Sequence, residues 1–244
     1  MFAWDNIYRF VLASACALSV ATPSWAAITL MGTRVIYPAH QASINVQLSN
    51  QLDKPALAQV WIDNGDPNVI PAAKDNPFLV TPPVSRLNAK ANQVVRIMQK
   101  PTPQLAEDRE TLFWFNILDI PPLSKADQDK NVLQFSVRSR LKLFYRPQNL
   151  KMSQQEAFKS LSFKQDITAK SIEIRNPSPY CITFNQLNFK NKMGKDVLYA
   201  ADVMVAPFDQ KSIQLEKFNQ PQQRVEYEVI NDLGGNVKFE ADLP

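Results

Sequence analysis

Residues 132–146 read VLQFSVRSRLKLFYR, and this run decides the fold. Its odd positions are Leu133, Phe135, Val137, Ser139, Leu141, Leu143 and Tyr145; its even positions are mostly polar or basic, Gln134, Ser136, Arg138, Arg140, Lys142 and Arg146 among them. Alternation with a period of two marks a β-strand with one buried face. At about 3.3 Å per residue the run would span roughly 50 Å, where an ordinary strand has about 5–6 residues. A strand of that length has more than the filling of one core to do.

Working outward, the chain before this run reads as short strands separated by turn residues: Ile28–Tyr37, Ser43–Leu48, Ala56–Ile62, Val84–Leu87, Val94–Met98 and Leu112–Leu118. Such spacing predicts an immunoglobulin-like β-sandwich, although no Cys…Trp…Cys framework of a true immunoglobulin domain is present. Pro147 cannot donate to a ladder and restricts Arg146, so a domain boundary is placed there. Lys151–Lys159 reads as a short helical turn. A second set of strands follows at Ser160–Lys164, Ser171–Arg175, Cys181–Phe189, Asp196–Tyr199, Val203–Val205, Ser212–Leu215, Arg224–Ile230 and Val237–Ala241. The expected fold is all-β, with domains at 27–147 and 148–244.

Residues 1–26 are set aside as a secretory signal peptide. A short polar segment precedes the apolar run FVLASACALSV, which is too short to span a bilayer, and Ser24-Trp25-Ala26 offers small residues for cleavage after Ala26. The remainder, about 218 residues, suffices for one large or two ordinary domains. Cys181 is its only cysteine, so it has no intrachain disulfide; the residue reads as a small buried apolar side chain beside Tyr180 and Ile182. A net charge of +4 gives no mandate for nucleic acid. The lone His40 sits in a loop, and neither a zinc set, a nucleophile elbow nor an HExxH helix is present, so no enzyme, cofactor or metal is expected.

The long run ends in Lys142-Leu143-Phe144-Tyr145-Arg146-Pro147. Upstream stand Thr33-Arg34-Val35-Ile36-Tyr37, Ala58-Gln59-Val60-Trp61-Ile62, Thr81-Pro82-Pro83-Val84-Ser85-Arg86-Leu87 and Asp108–Asn116 (DRETLFWFN) followed by Ile120-Pro121-Pro122; downstream stand Arg175–Tyr180 (RNPSPY) and Ile230–Gly235 (INDLGG). In this order the motifs resemble the periplasmic pilus chaperones of the PapD-like family, over nearly the whole chain beyond residue 26. The resemblance implies two immunoglobulin-like sandwiches arranged as an L, with a cleft between them. It further implies donor-strand complementation, in which the chaperone lends a strand to an incomplete pilus subunit. The lent strand would be 132–146, with Leu133, Phe135 and Val137 filling the subunit groove. Arg34 and Lys142 would hold the subunit's C-terminal carboxylate, and Glu110, Arg146 and Asp232 would form a charge trio linking the domains. The implied partners are pilus subunits and an outer-membrane usher, in the periplasm, and an uncovered edge predicts self-capping through that edge or disorder of it in the free protein. The short Pro121–Lys130 connection, without a bracketing cysteine pair, is similar to the short-loop branch, which is associated mainly with rod-forming pili.

The residues alone leave alternatives. Leu133, Phe135 and Val137 could face the domain's own core, since alternation marks any half-buried strand. Arg138, Arg140 and Lys142 could be a solvated face that blunts an edge. Glu110, Arg146 and Asp232 could be unrelated surface charges, where a pair contributes about 0–1 kcal/mol. At the level of the whole chain, the competing readings are a fibre subunit or adhesin, with Ala27–Tyr37 as a donor extension, and more remotely a hydrolase or lectin using the cleft.

Overall fold

The computed structural model describes residues 28–69, 71–72, 76–101, 104–123, 131, 133–191, 196–199 (backbone), 203–215 and 221–243. The segment 1–26 read as a signal, Val132 and most of the Pro121–Lys130 connection lie outside them.

The first half is built from β1 (Ile28–Leu30), β2 (Arg34–Pro38), β3 (Ser43–Asn50), β4 (Ala56–Asp63), β5 (Phe78–Thr81), β6 (Val84–Leu87), β7 (Asn92–Gln99), β8 (Thr111–Ile120) and β9 (Val137–Arg146). Two sheets result, in the orders β1-β3-β7-β5 and β2-β9-β8-β4-β6. Alternate side chains meet between them, with Tyr37, Leu48, Ile62, Ile97, Phe115 and Leu143 among the fully buried residues of this core. The second half contains α1 (Gln154–Lys159), β10 (Ser162–Asp166), β11 (Ser171–Arg175), β12 (Ile182–Lys190), β13 (Asp196–Tyr199), β14 (Val203–Val205), β15 (Gln210–Gln214), β16 (Arg224–Ile230) and β17 (Asn236–Asp242). Its sheets run β10-β11-β15 and β13-β12-β16-β17, with β14 also pairing β12. A separate core of Ile172, Ile174, Phe184, Phe189, Val225 and Val229 lies between them. α1 forms where Ser153 and Glu156 make a reciprocal capping box, and it buries Ala157 and Phe158 against that core.

Three strand expectations change. Ile28–Tyr37 is not one strand: Gly32, at φ +101, turns the chain between β1 and β2. β1 then pairs β3 antiparallel while β2 crosses to the other sheet and pairs β9 in parallel. The expected strand 132–146 begins only at Val137. Its neighbour β8 pairs as far as Asp119 opposite Val137, and no strand among the described residues flanks 133–136. Alternating side chains without a partner ladder do not make a strand. Finally β5, a four-residue run ending before Pro82-Pro83, is an addition to the expected set; Phe78 anchors it in the core at 3% exposure.

Candidate functional site

Where the long run passes over the first core, its odd side chains point inward: Leu143 and Tyr145 are buried and Leu141 is half-buried. Leu133, Phe135 and Val137 have the same parity but lie past the end of the sandwich, exposed to 81%, 72% and 47%. Of the two orientations open to them, they face solvent. On the even face Phe144 is also buried, at 2%, outside both cores and 5.7 Å beneath the Arg34 guanidinium. Residues 142–146 are therefore covered on both faces, which is why strict alternation fails at Phe144.

β2 pairs β9 only from Lys142 to Arg146. On that side residues 137–141 have no strand neighbour among the described residues, so their backbone groups present an open edge. The edge ends at Lys142, whose direct register partner is Arg34. Arg34 Nη1 donates to the Ile230 carbonyl of the second domain at 2.9 Å, while its buried Nε has no hydrogen-bond partner among the described residues. Lys142 Nζ donates to the Thr183 hydroxyl at 3.3 Å and lies 5.9 Å from the Trp114 ring centroid. These groups line an interdomain cleft of about 620 Å³. Burial pushes the Arg34 guanidinium below its ordinary value, opposed by the carboxylates of Asp232 and Glu110. It remains a cation, and a carboxylate entering the cleft would offset the lost hydration with charge-assisted hydrogen bonds. Thr183 and Ile230 were not among the expected site residues; one is a strand threonine and the other contributes only its carbonyl, so neither has a sequence signature.

Glu110, Arg146 and Asp232 come together across the domains. Arg146 Nε donates to Glu110 at 2.6 Å, and its two Nη atoms donate to Asp232 at 2.5 and 2.7 Å. Glu110 also accepts from the Cys181 N–H at 2.8 Å, its own N–H donates to the Pro179 carbonyl at 2.9 Å, and Gln154 donates to Asp232 at 2.6 Å. Burial pushes Glu110 upward despite Arg146 and the Cys181 N–H. At Asp232 burial acts the same way, but the hydrogen bonds and charge of Arg146, with Gln154, outweigh it and hold the carboxyl below its ordinary 3.8. A depressed carboxyl contributes stability above its unfolded value that is lost as pH falls through its folded one. Glu110 has the opposite sign, its ionised form being the costly one. The melting temperature is therefore expected to hold through mildly acidic pH and to fall below about pH 4. Asp232→Asn should lose less over that acid interval than the parent, as thermal melts at stepped pH will read. Cys181 is buried at this junction, and burial pushes its thiol upward, with Glu110 adding to the shift; it is an unreactive side chain.

The alternative of a purely solvated basic face does not describe Arg138 and Arg140: both guanidiniums, though in part exposed, contact the carboxylate of Asp63, at 3.5 and 2.6 Å, and Asp63 is fully buried. The sequence reading missed Asp63 because an outward polar residue at a strand end carries no mark of a partner 77 residues away.

The sequence was compared with known families and structures. Residues 27–151 match the family described as pili and flagellar-assembly chaperone, PapD N-terminal domain, and residues 156–241 match the pili assembly chaperone PapD, C-terminal domain. The chain belongs to the PapD-like pilus-assembly chaperones. Its relatives include chaperone protein HifB of Haemophilus influenzae, 40% identical over 232 residues that cover 94% of this chain and 91% of HifB. The probable fimbrial chaperone YadV of Escherichia coli K12 is 38% identical, over 93% of this chain and 94% of YadV. A crystal structure of YadV superimposes with a TM-score of 0.77, covering 89% of this chain and all of that one. The Salmonella enterica SafB chaperone, solved in complex with SafA pilin, is 26% identical with a TM-score of 0.74, over 91% of this chain and 99% of that one. The fold is accordingly the all-β pair of immunoglobulin-like sandwiches set as an L, with the Arg34–Lys142 cleft between the arms. Among the described residues of this chaperone, no helix is long and apolar enough to cross a membrane.

Proposed function

We propose that this chaperone is exported to the periplasm with loss of residues 1–26, is not an enzyme, and folds and caps pilus subunits before passing them to an outer-membrane usher. Residues 27–147 would form the donating domain and 148–244 the second arm. The observation that carries the reading is continuity along one segment: exposed apolar side chains at Leu133, Phe135 and Val137, an open backbone edge at 137–141, and two cations at its end. The chaperone–pilin complex of the SafB relative supports the same partner class.

The direction of the client follows from the anchor. If a subunit's C-terminal carboxylate rests between Arg34 and Lys142, its last strand must run from the 133 end toward 142. It then lies parallel to β9, along the edge that β2 leaves open, with its terminus at the start of β2. Val137 to Lys142 is five residues, roughly 17 Å, so one extended segment reaches both the cations and the apolar side chains. The carboxylate would fix register, and a slip of one residue would present the wrong face to the groove. Leu133, Phe135 and Val137, if buried there, would each contribute about 1.5–3 kcal/mol before ordering costs. Before a client arrives, a second copy of the chain could cover the same edge, making a self-capped oligomer.

Because Phe135 is exposed in the free protein, Phe135→Ser should change the melting temperature by no more than about 0.5 kcal/mol of stability warrants, while subunit yield falls at least tenfold. Periplasmic extracts assayed by pull-down against a standard thermal melt separate the two effects. The whole reading is tested by recovering the chain from periplasm and identifying bound proteins by mass spectrometry. A pilin bound to soluble chaperone is expected; the chain itself in sheared surface fibres would instead indicate the subunit reading.

A further inference from the structure

Strand β9 is unevenly supported. Residues 142–145 have β2 on one side and β8 on the other, and Arg34, bonded to the Ile230 carbonyl of the second domain, lies over Phe144. Among the described residues, 137–141 have only β8 as a strand neighbour, and the other edge is open. A strand end bonded along one edge frays readily. Yet this is the stretch that must hold Leu133, Phe135 and Val137 in a fixed direction.

A side-chain cluster on the outer face of the sheet replaces the missing neighbour. Asp63 closes β4, and its Oδ1 accepts from Arg140 Nη2 at 2.6 Å and from the Gly65 N–H at 2.8 Å. Its Oδ2 accepts from Asn116 Nδ2 at 2.8 Å and from Arg140 Nε at 3.2 Å, with Arg138 Nη2 at 3.5 Å. Arg138 in turn donates through Nε and Nη2 to Asn116 Oδ1 at 3.0 and 2.7 Å. The two guanidiniums lie over indole rings, Arg138 over Trp61 at 4.9 Å and Arg140 over Trp114 at 4.1 Å. The loop after β4 closes the cluster from outside, with Gly65 and Pro67 carbonyls accepting from Arg140 and Arg138. Burial pushes the Asp63 carboxyl upward, but the hydrogen bonds from Arg140, Asn116 and Gly65 outweigh it and keep it ionised. A buried carboxylate held between two guanidiniums is a directional fixture, because planar forks bond only in certain geometries.

We propose that Asp63, acting with Asn116 through Arg138 and Arg140, is a positioning residue for the donated segment. The cluster ties the half-paired start of β9 to β8 and β4 from the outer face, and so sets the direction in which 133–137 leaves the domain. The inference rests on the reading of 133–137 as the donated segment, but its first test does not need a client.

Beyond residue 26 the chain has tryptophan only at 61 and 114, the two rings under the guanidiniums, so tryptophan fluorescence reports this cluster, with Trp114 also facing the Arg34–Lys142 cleft. Asp63→Asn keeps the shape and removes the charge. The expected result is a shifted tryptophan emission, amide exchange at least tenfold faster at those of 137–140 whose N–H groups face β8, unchanged exchange in β12 and β16, and at least tenfold less of the pilin that copurifies with the parent chain. If Asp63→Asn does not accumulate, Arg138→Gln carries the same test from the outer side of the cluster. Exchange at 137–140 that stays at the parent rate overturns the proposal. So does faster exchange with undiminished pilin recovery, which would make the cluster merely structural. A parent chain that recovers no pilin from periplasm fails the functional reading instead, and the exchange measurement still decides whether Asp63 fixes the strand.

Discussion

Replacing Arg34 and Lys142 together by alanine should abolish recovery of pilus subunits while leaving the chaperone folded. Each cation is expected to give a subunit carboxylate one charge-assisted hydrogen bond of about 1.5–3 kcal/mol. Losing both removes roughly 3–6 kcal/mol, or two to four orders of magnitude in affinity. The folded protein loses little. Lys142 gives up a 3.3 Å contact to Thr183 and a ring contact with Trp114, and Arg34 gives up its bond to the Ile230 carbonyl and its place over Phe144. Neither residue belongs to a core cluster. Relief of the partly desolvated Arg34 charge acts in the opposite direction. A thermal melt and a periplasmic pull-down on the same preparation separate the two effects. Normal subunit yield from the double variant would remove the anchor assignment.

The second large effect is on the junction between the domains. Arg146→Ala should destabilise the chain by about 3 kcal/mol, the low end of what breaking a buried ion pair costs, because Asp232 keeps 32% of its side chain in solvent. Glu110 has no such outlet at 2% exposure, and it would be left as a buried charge with one backbone N–H. For a chain of this size the melting temperature should fall by roughly 6–12 °C. Cys181 supplies a local readout, because its N–H is bonded to Glu110 and its thiol is buried at the same junction. In the parent a thiol reagent should label Cys181 only on unfolding, whereas in Arg146→Ala labelling should occur in the folded protein. A variant that melts like the parent and keeps the thiol protected would show that the trio does not couple the domains.

Much of this was legible in the residues themselves, for identifiable reasons. Leu141, Leu143 and Tyr145 alternate because a core lies beneath them, and period-two patterning records burial directly. The same pattern at Leu133, Phe135 and Val137 could not record a buried surface, because these side chains are exposed in the free chain. It also overstated the strand, since a ladder needs a neighbour and β8 ends at Ile120. Gly32 turns the chain out of one sheet into another, a choice set by pairing with β9 and invisible in the alternation of 28–37. The charge trio rested on resemblance alone: Arg146 meets Glu110 across 36 residues and Asp232 across 86, separations that no local pattern encodes. Asp63 had no such help, and its pairing with Arg140 emerges only when β4, β8 and β9 lie side by side.

The central claim is that residues 133–141 become a strand of someone else's sheet. Amide hydrogen exchange on the free chaperone and on its complex with a copurified pilin tests it directly. The account predicts rapid exchange at 133–136 in the free chain and strong protection of 133–141 in the complex, with β12 and β16 unchanged. Equally rapid exchange at 133–136 in both states would contradict it.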